Sequence, residues 1–371
     1  MKNKNFEVYF DFGSSKIRVG AINKKNTLKN FYDESEFFFN YENSESEIKK
    51  IIFNIEKKTN EYLNSINLMV DSAEMLAINL SLCKNLDKSK LIKEDIQFLI
   101  KDAKQQILRN YSNQTIIHVI IKNYKVDNID YTFLPTDIYC NSLSIDILFI
   151  CLPKKIIENL KTIFFKFDVS VNQIFCSSYA RSVNYKNNFV SEDSVSFIDM
   201  GFNKTSITHY NKNKISFFYV IPIGGNHITK DLSKILNIDL SYAEKIKLLF
   251  GKNKNILMDK DLSSELIQKI IFARLEEILE LCVESIKSNE YFEKSKQFKM
   301  ILMGSGSRIL DNKYKEKISF SQEIFLLEET NKDICVSNIK LNKGLNKQEF
   351  VIMPKKHIKK GFFEKLFHFF R

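Results

Sequence analysis

The sequence predicts an α/β protein of two similar lobes, one of which carries an inserted subdomain. The first observation is a strand–turn–strand segment at residues 6–22, with the turn at 11–16. The second is a related turn, Asp199-Met200-Gly201, at the end of another apolar run. The third is the placement of glycine, since six of the ten glycines fall at predicted strand ends, where a backbone can approach a ligand closely. Two such acidic hairpins in one chain indicate duplicated lobes that face a common ligand.

The first lobe is predicted from hydrophobic periodicity. Residues 6–12, 17–22 and roughly 28–39 have the pattern of three strands of one sheet. A helix is expected over 47–62, because its apolar residues recur at helical spacing, and a short strand over 67–70. Residues 169–175 and 177–184 then return to this lobe as a strand and a helix.

The segment between these parts has a different pattern and is predicted to be an insertion in the first lobe. Residues 90–108 carry a helical apolar stripe, 116–121 and 144–152 are apolar strands, and 124–133 is extended. A helix over 153–167 follows, and Pro153 is well suited to its start.

The second lobe begins with strands predicted at 193–199, 206–210 and 215–221. Gly224 and Gly225 precede a helix at about 228–236, and further helices are expected at 240–250 and 262–290. A strand at 299–303 then leads into Gly304-Ser305-Gly306.

Composition limits the function classes. The formal charge of +11 fits either a compositional drift toward Lys, Asn and Ile or an anionic partner such as nucleic acid or a membrane surface, and no nucleic-acid motif accompanies it. The six cysteines form no C-x-x-C pair, which predicts reduced, buried thiols and no zinc site. We expect no signal peptide and no membrane-spanning segment.

The two acidic turns are candidate sites for a phosphate and its metal ion. Asp11 and Asp199 could each hold a water molecule on Mg²⁺, which prefers carboxylates, water and phosphate oxygens. The amides and hydroxyls of Gly13, Ser14 and Ser15 could cradle phosphate oxygens, and Lys16 could add charge. An Asp-x-Gly turn is also a common hairpin, so the pair of turns carries more weight than either one.

The last residues predict an amphipathic helix at a membrane interface. A basic segment, 355–360, runs into a helix whose apolar residues cover less than half of the helical wheel. A helix packed on the protein's own core is the alternative. The predicted membrane contacts are Phe362, Phe363, Leu366, Phe367, Phe369 and Phe370 on the apolar side, with Lys359, Lys360, Lys365 and Arg371 as the basic residues.

Several motifs, taken in order, resemble those of one known family. They are 11–16, 118–120 with Thr136 and Asp137, 199–201, 220–226 with Thr229 and Asp231, 243–247 with Gly251, 301–306, and the tail. On these residues, and along nearly its whole length, the chain resembles the bacterial cell-division protein FtsA family, which belongs to the actin and Hsp70 ATPase superfamily.

The resemblance implies an actin-like (ribonuclease H-like) two-lobed fold with an inserted 1C-type subdomain and a C-terminal amphipathic helix. The implied divisions are 1–75 and 167–190 for subdomain 1A, 76–166 for the insertion, 191–233 and 298–345 for subdomain 2A, 234–297 for subdomain 2B, 346–360 for a basic linker, and 361–371 for the membrane-targeting helix.

The resemblance also implies a function. Members of this family bind ATP, assemble into actin-like filaments and tether FtsZ to the inner membrane. The implied partners are therefore the C-terminal peptide of FtsZ, bound near 234–297, further copies of the chain, the anionic cytoplasmic face of the membrane at the division septum, and other divisome proteins. No nucleic-acid partner is expected, and any ATPase activity is expected to be weak.

The site residues that the resemblance implies surround ATP and Mg²⁺. Asp11 and Asp199 take the catalytic positions and hold the metal ion through water. The implied nucleotide contacts are Gly13, Ser14, Ser15, Lys16, Gly201, Thr205, Gly225, Glu244, Lys247, Gly304, Ser305 and Gly306.

The chain departs from the family pattern at the second phosphate loop. Phe202 puts a ring where the backbone should approach phosphate, and Lys204 could compensate by its charge. Ser305 replaces a usual glycine, and 176–181 holds no Glu or Gln to orient water. Two alternatives stay open: an FtsA-like pilus assembly protein of the PilM type, against which the predicted tail helix counts, and an actin-fold ATP-using enzyme, against which the altered second loop counts.

Overall fold

The computed structural model describes residues 5–36, 44–131, 133–135, 138–250, 263–289, 297–310, 322–342 and 349–351. The first lobe contains a five-stranded sheet of order β3-β2-β1-β4-β9. Helix α1 (Ser44–Thr59) connects β3 to β4. The strands are β1 (Phe6–Phe12), β2 (Lys16–Asn23), β3 (Phe31–Glu36), β4 (Ser65–Val70) and β9 (Ser170–Phe175).

A second sheet is inserted between β4 and β9. It consists of β5 (Leu76–Lys90), β6 (Gln114–Val126) and β8 (Tyr139–Pro153), with the short β7 (Ile129–Tyr131) beside β6. Helix α2 (Lys93–Asn110) packs on this sheet and closes a separate apolar core. Helix α3 (Lys154–Phe165) then leads back to the first lobe.

The second lobe repeats the strand order of the first. Its sheet runs β12-β11-β10-β13-β14, with antiparallel β10–β11–β12 and parallel β10–β13–β14. The strands are β10 (Ser194–Met200), β11 (Thr205–Asn211), β12 (Lys214–Ile221), β13 (Lys299–Met303) and β14 (Ile324–Leu326). Helices α5 (Gly225–Leu236), α6 (Leu240–Phe250) and α7 (Ser264–Lys287) pack with this sheet in one apolar core.

Two helices lie where the lobes meet. Helix α4 (Ser177–Tyr185) follows β9, and α8 (Asn331–Asn342) follows the second sheet. Side chains of both helices belong to an apolar core that also contains residues of both sheets. The two lobes therefore share buried apolar surface at the base of the cleft that lies between them. Gly20 permits the close approach of α8, because a Cβ there would lie 2.7 Å from the Cβ of Cys335.

The predicted α/β fold of two similar lobes with an insertion is confirmed. Most predicted elements are present with ends shifted by a few residues. Strand β5 is a difference: the sequence analysis assigned no element to it, although its burial alternates with a period of two. Its pairing partner β8 lies far along the chain, and only that pairing brings it into a sheet.

Two segments near the C-terminus pack away from the second sheet. Helix α8, which falls within the predicted subdomain 2A range 298–345, packs against α4, β1 and β2 of the first lobe. Strand β15 (Glu349–Val351), which falls within the predicted basic linker 346–360, pairs antiparallel with β6 of the insertion. The predicted amphipathic helix, 361–371, lies outside the described residues.

Candidate functional site

The first acidic turn places Asp11 at the floor of the cleft. The hairpin register sets Asp11 directly opposite Arg18, whose Nη1 donates to Asp11 Oδ2 at 2.9 Å. The hydroxyl of Ser177, at the start of α4, donates to Asp11 Oδ1 at 2.6 Å. The carboxylate is 4% exposed, so both of its oxygens are satisfied by the protein itself.

The second acidic turn has the same construction in the other lobe. The amide of Gly201 donates to the carbonyl of Lys204 at 2.8 Å, and the amide of Gly13 donates to the carbonyl of Lys16 at 3.0 Å. Asp199 is 4% exposed and accepts a hydrogen bond from Arg181 Nη1 at 2.9 Å. The two turns therefore match in backbone as well as in sequence, as expected for duplicated lobes.

A glycine with a left-handed backbone brings a third loop to the same place. Strand β13 pairs parallel with β10, so the residue after Met303 lies beside Asp199. Gly304 has φ +96°, and a Cβ there would overlap the Asp199 carboxylate and lie 2.5 Å from the carbonyl oxygen of Met200. Glycine is required here because only it combines this φ with so little space.

The structure brings most of the predicted nucleotide and metal residues together in one cleft. Nine of the sequence-predicted residues line it: Asp11, Gly13, Ser14, Ser15, Lys16, Asp199, Gly201, Gly304 and Ser305.

The other predicted nucleotide contacts are buried and are not part of this lining: Thr205, Gly225, Glu244, Lys247 and Gly306. Lys247 Nζ contacts Glu244 Oε2 at 2.6 Å and the carbonyl of Gly225 at 3.0 Å, and the residues Lys247 and Glu244 are each 4% exposed. Burial lowers the pKa of Lys247, although Glu244 opposes this shift. Gly306 lies next to this cluster, and the hydroxyl of Thr205 donates to the carbonyl of Ile223 at 2.7 Å.

The lining also includes residues that were not among the predicted contacts, among them Arg18, Asp71, Ser177, Arg181 and Glu329. Arg18 could have been found from the sequence, because a tight turn at 11–16 places it opposite Asp11. The other four come from separate parts of the chain and needed the tertiary structure. Lys204, which the sequence analysis considered as a compensating charge, also lines the cleft.

These unpredicted residues form a buried ionic network. Lys204 Nζ lies 2.9 Å from Asp71 Oδ2 and 4.0 Å from Asp199 Oδ2. Arg181 Nε donates to Glu329 Oε1 at 2.8 Å, and its Nη2 pairs with the other oxygen of Glu329. Pairs of this kind, with each charge hydrogen-bonded, are the ones that proteins tolerate in their interiors.

The pKa shifts of Asp71 and Arg181 favour their charged forms. Burial would raise the pKa of Asp71, but the ammonium of Lys204 brings it below its ordinary value. Burial would lower the pKa of Arg181, but Asp199 and Glu329 hold it well above the ordinary value. Burial raises the pKa of Asp199, while Arg181 and Lys204 oppose the rise.

The residues present do not fit the predicted Mg²⁺. Each aspartate that was predicted to hold its water is already bonded to a guanidinium, Asp11 to Arg18 and Asp199 to Arg181. A divalent cation beside those groups would meet like charge. Among the residues that the structure describes, no group of three His, Cys, Asp or Glu side chains could hold a metal ion.

Comparison with known proteins finds family models that match parts of the chain and solved structures that have a similar fold. A family model described as "Cell division protein FtsA" matches residues 196–273, and one described as "SHS2 domain inserted in FTSA" matches residues 77–151. Among solved structures, the chain is similar to a PilM-PilN type IV pilus biogenesis complex, with a TM-score of 0.63 at 10% identity, covering 92% of this chain and 98% of that chain. It is also similar to the ethanolamine utilization protein EutJ from Carboxydothermus hydrogenoformans, with a TM-score of 0.52 at 10% identity, covering 90% and 89%.

Curated relatives carry one name. Cell division protein FtsA from Buchnera aphidicola subsp. Acyrthosiphon pisum is 24% identical over 349 residues, which cover 83% of this chain and 82% of the relative. FtsA from Helicobacter pylori (strain ATCC 700392 / 26695) is 30% identical over 140 residues, 38% of this chain and only 28% of that protein.

The chain has the fold of the actin-like ATPases, with an SHS2-type domain inserted in the first lobe. Within that fold, its sequence is similar to the FtsA family of cell division proteins, and the resemblance found in the sequence is confirmed.

Proposed function

We propose that this chain is an actin-like adaptor that assembles with itself and tethers FtsZ filaments to the cytoplasmic face of the membrane at the division site. The observation that carries the proposal is the SHS2-type sheet inserted between β4 and β9 of an actin-like lobe, since its residues match the insertion described for FtsA.

The membrane part of the proposal depends on the C-terminal residues. Burial of six large apolar side chains would contribute on the order of 9–18 kcal/mol if it were complete, and less for a helix lying in the interface. Each basic residue near anionic lipid adds roughly 1 kcal/mol. Assembly would multiply this reversible binding by avidity. No helix in the described part of the chain is long and apolar enough to cross a membrane.

The partner surface is proposed to lie on the second lobe. Residues 234–297 include α6 and α7, which pack with the second sheet. Binding of the C-terminal peptide of FtsZ there would leave the insertion and the C-terminal residues available for other contacts.

The tethering proposal is tested with anionic vesicles and FtsZ filaments. Phe363→Ser/Phe367→Ser should abolish sedimentation with vesicles and recruitment of FtsZ to them, while binding to FtsZ in solution persists. The matched control, Glu364→Ser/His368→Ser, changes the polar side of the same helix and should leave vesicle binding in place. Equal vesicle binding by both double variants would refute the membrane anchor.

The nucleotide part of the proposal is ATP at the glycine loops of the cleft. Its support is the position of Gly13, Gly201 and Gly304, which line one cleft in a fold of the actin-like ATPase class. Binding of a fluorescent ATP analogue, measured with Mg²⁺ and with EDTA, tests it. The analogue should bind without the divalent cation, and no binding in either buffer would remove ATP from the proposal.

Two other functions remain as alternatives. The likeness to the PilM-PilN complex favours an FtsA-like pilus assembly protein, which would bind a partner peptide without needing the vesicle-binding tail. An ATP-using enzyme would show hydrolysis well above background that Asp199→Asn abolishes. The ion pairs of Asp11 and Asp199 disfavour the enzyme, because they occupy the groups such chemistry would use.

A further inference from the structure

We propose that the two lobes are held closed by the protein's own ion pairs, which stand where a metal–nucleotide complex would otherwise bridge them, so that closure requires neither Mg²⁺ nor ATP. Closure of this kind would regulate the cleft described above. Any effect of closure on filament assembly rests on the proposed function.

One ion pair crosses the cleft from the second lobe to the first. Lys204 lies in the turn between β10 and β11, and Asp71 follows β4. Asp71 is fixed on its own lobe by the amides of Ser177 and Ser178, which donate to its two oxygens at 2.9 and 3.0 Å. The Lys204 ammonium, 2.9 Å from Asp71 Oδ2, therefore meets a carboxylate that is already positioned for it.

A second set of pairs runs in the opposite direction. Arg181 belongs to α4 and reaches Asp199 of the second lobe at 2.9 Å. The same guanidinium holds Glu329, which lies between β14 and α8, where the chain passes from the second lobe to the first. The amide of Gly304 also donates to Glu329 at 3.3 Å, which links the network to the third glycine loop.

These pairs use the groups that a metal–nucleotide complex would need. The phosphates of a nucleotide at the glycine loops could bridge the lobes through Lys204 and Arg181 only by taking these two residues from carboxylates that are almost fully buried. That exchange would leave the carboxylates without a partner in a site of low polarity. Mg²⁺ would have to displace the guanidiniums of Arg18 and Arg181 from the two aspartates. The closed state is therefore bridged by charged side chains of the protein itself, in the pairs Lys204–Asp71 and Arg181–Asp199.

The test measures the distance between the lobes in the full-length protein. Spin labels are placed at exposed positions of each lobe, Leu28→Cys and Ile235→Cys, with the exposed Cys83 replaced by serine. Distance distributions are recorded by pulsed electron resonance in EDTA and with Mg²⁺ and ATP. We expect the same narrow distribution in both buffers.

Variants test whether the ion pairs cause this closure. Lys204→Gln and Arg181→Gln should broaden the distribution and shift it to longer distances. Arg274→Gln is the matched control, because Arg274 also pairs with two carboxylates, Asp231 and Glu277, but within the second lobe, and it should leave the distribution unchanged.

Two results would overturn the inference: a distribution that narrows or shifts when Mg²⁺ and ATP are added to the unsubstituted protein, or one that is unchanged in Lys204→Gln and Arg181→Gln. The first measurement needs no variant at the network, so it decides the question even if those variants fail to fold. Binding of the same samples to vesicles and to FtsZ tests the proposed function, so its failure can be distinguished from a failure of the closure proposal.

Discussion

Replacing Lys204 with methionine removes one charge of the pair that joins the lobes and keeps most of the side-chain volume. The side chains of Lys204 and Asp71 are 8% and 9% exposed, and their charges lie 2.9 Å apart. At an effective dielectric constant of about 20, unit charges at 2.9 Å attract by about 6 kcal/mol, against which desolvation must be set. Because Asp71 would be left buried and unpaired, we expect Lys204→Met to lower the free energy of unfolding by about 3–5 kcal/mol.

A double-mutant cycle separates the pair from other effects. Asp71→Asn alone should also be costly, but Lys204→Met/Asp71→Asn should cost at least about 2 kcal/mol less than the sum of the single changes, because neither charge is then left alone. Unfolding by urea can be followed by far-ultraviolet circular dichroism, which suits a chain without tryptophan.

The control cycle uses an ion pair inside one lobe. Lys299 lies 2.8 Å from Glu192, but the two side chains are 14% and 36% exposed. Lys299→Met and Glu192→Gln should therefore couple by less than about 1 kcal/mol. A coupling energy between Lys204 and Asp71 that is no larger than this would refute the assignment of a structural ion pair across the cleft.

Three further predictions concern other parts of the molecule. Burial lowers the pKa of His209 to about 4, so protons bind preferentially to the unfolded chain. The free energy of unfolding should therefore fall by about 1.4 kcal/mol per pH unit as the pH drops from about 6.5 to 4. Urea midpoints measured against pH should lose this slope in His209→Gln. Gly304→Ala should lower the free energy of unfolding by more than about 1 kcal/mol, because φ is +96° and a Cβ would meet Asp199; a neutral effect in urea unfolding would contradict this geometry. Burial raises the pKa of the Cys282 thiol, whereas Cys83 is exposed, so mass spectrometry after brief treatment with a maleimide should find Cys83 modified and Cys282 intact.

Local patterns were enough to predict most of the elements. Strand β1, α6 and β13 have the predicted ends, because an apolar run or a helical stripe defines each of them within a short window. Helix α8 was not among the predicted elements, and nothing local shows which sheet it packs against. That choice depends on contacts with β1, β2 and α4, which precede it by more than a hundred residues.

The candidate site divides in the same way. The two acidic turns and the glycine loops could be recognised from sequence, since each is a continuous segment with a defined backbone requirement. Glu244 and Lys247 were predicted as nucleotide contacts, but their burial and mutual pairing were not foreseen. Neither was the pairing of Asp71 with Lys204, which joins residues far apart in the chain.

The sequence by itself determined that this protein has two related α/β lobes, an insertion in the first and acidic turns at matching strand ends, because hydrophobic period and turn chemistry are local properties. Only the tertiary structure decided what faces those turns. The partner of a buried charge is set by the packing of distant segments, and here that packing brings Arg181 to Asp199, a carboxylate that the sequence had suggested for a metal ion, and Lys204 to Asp71.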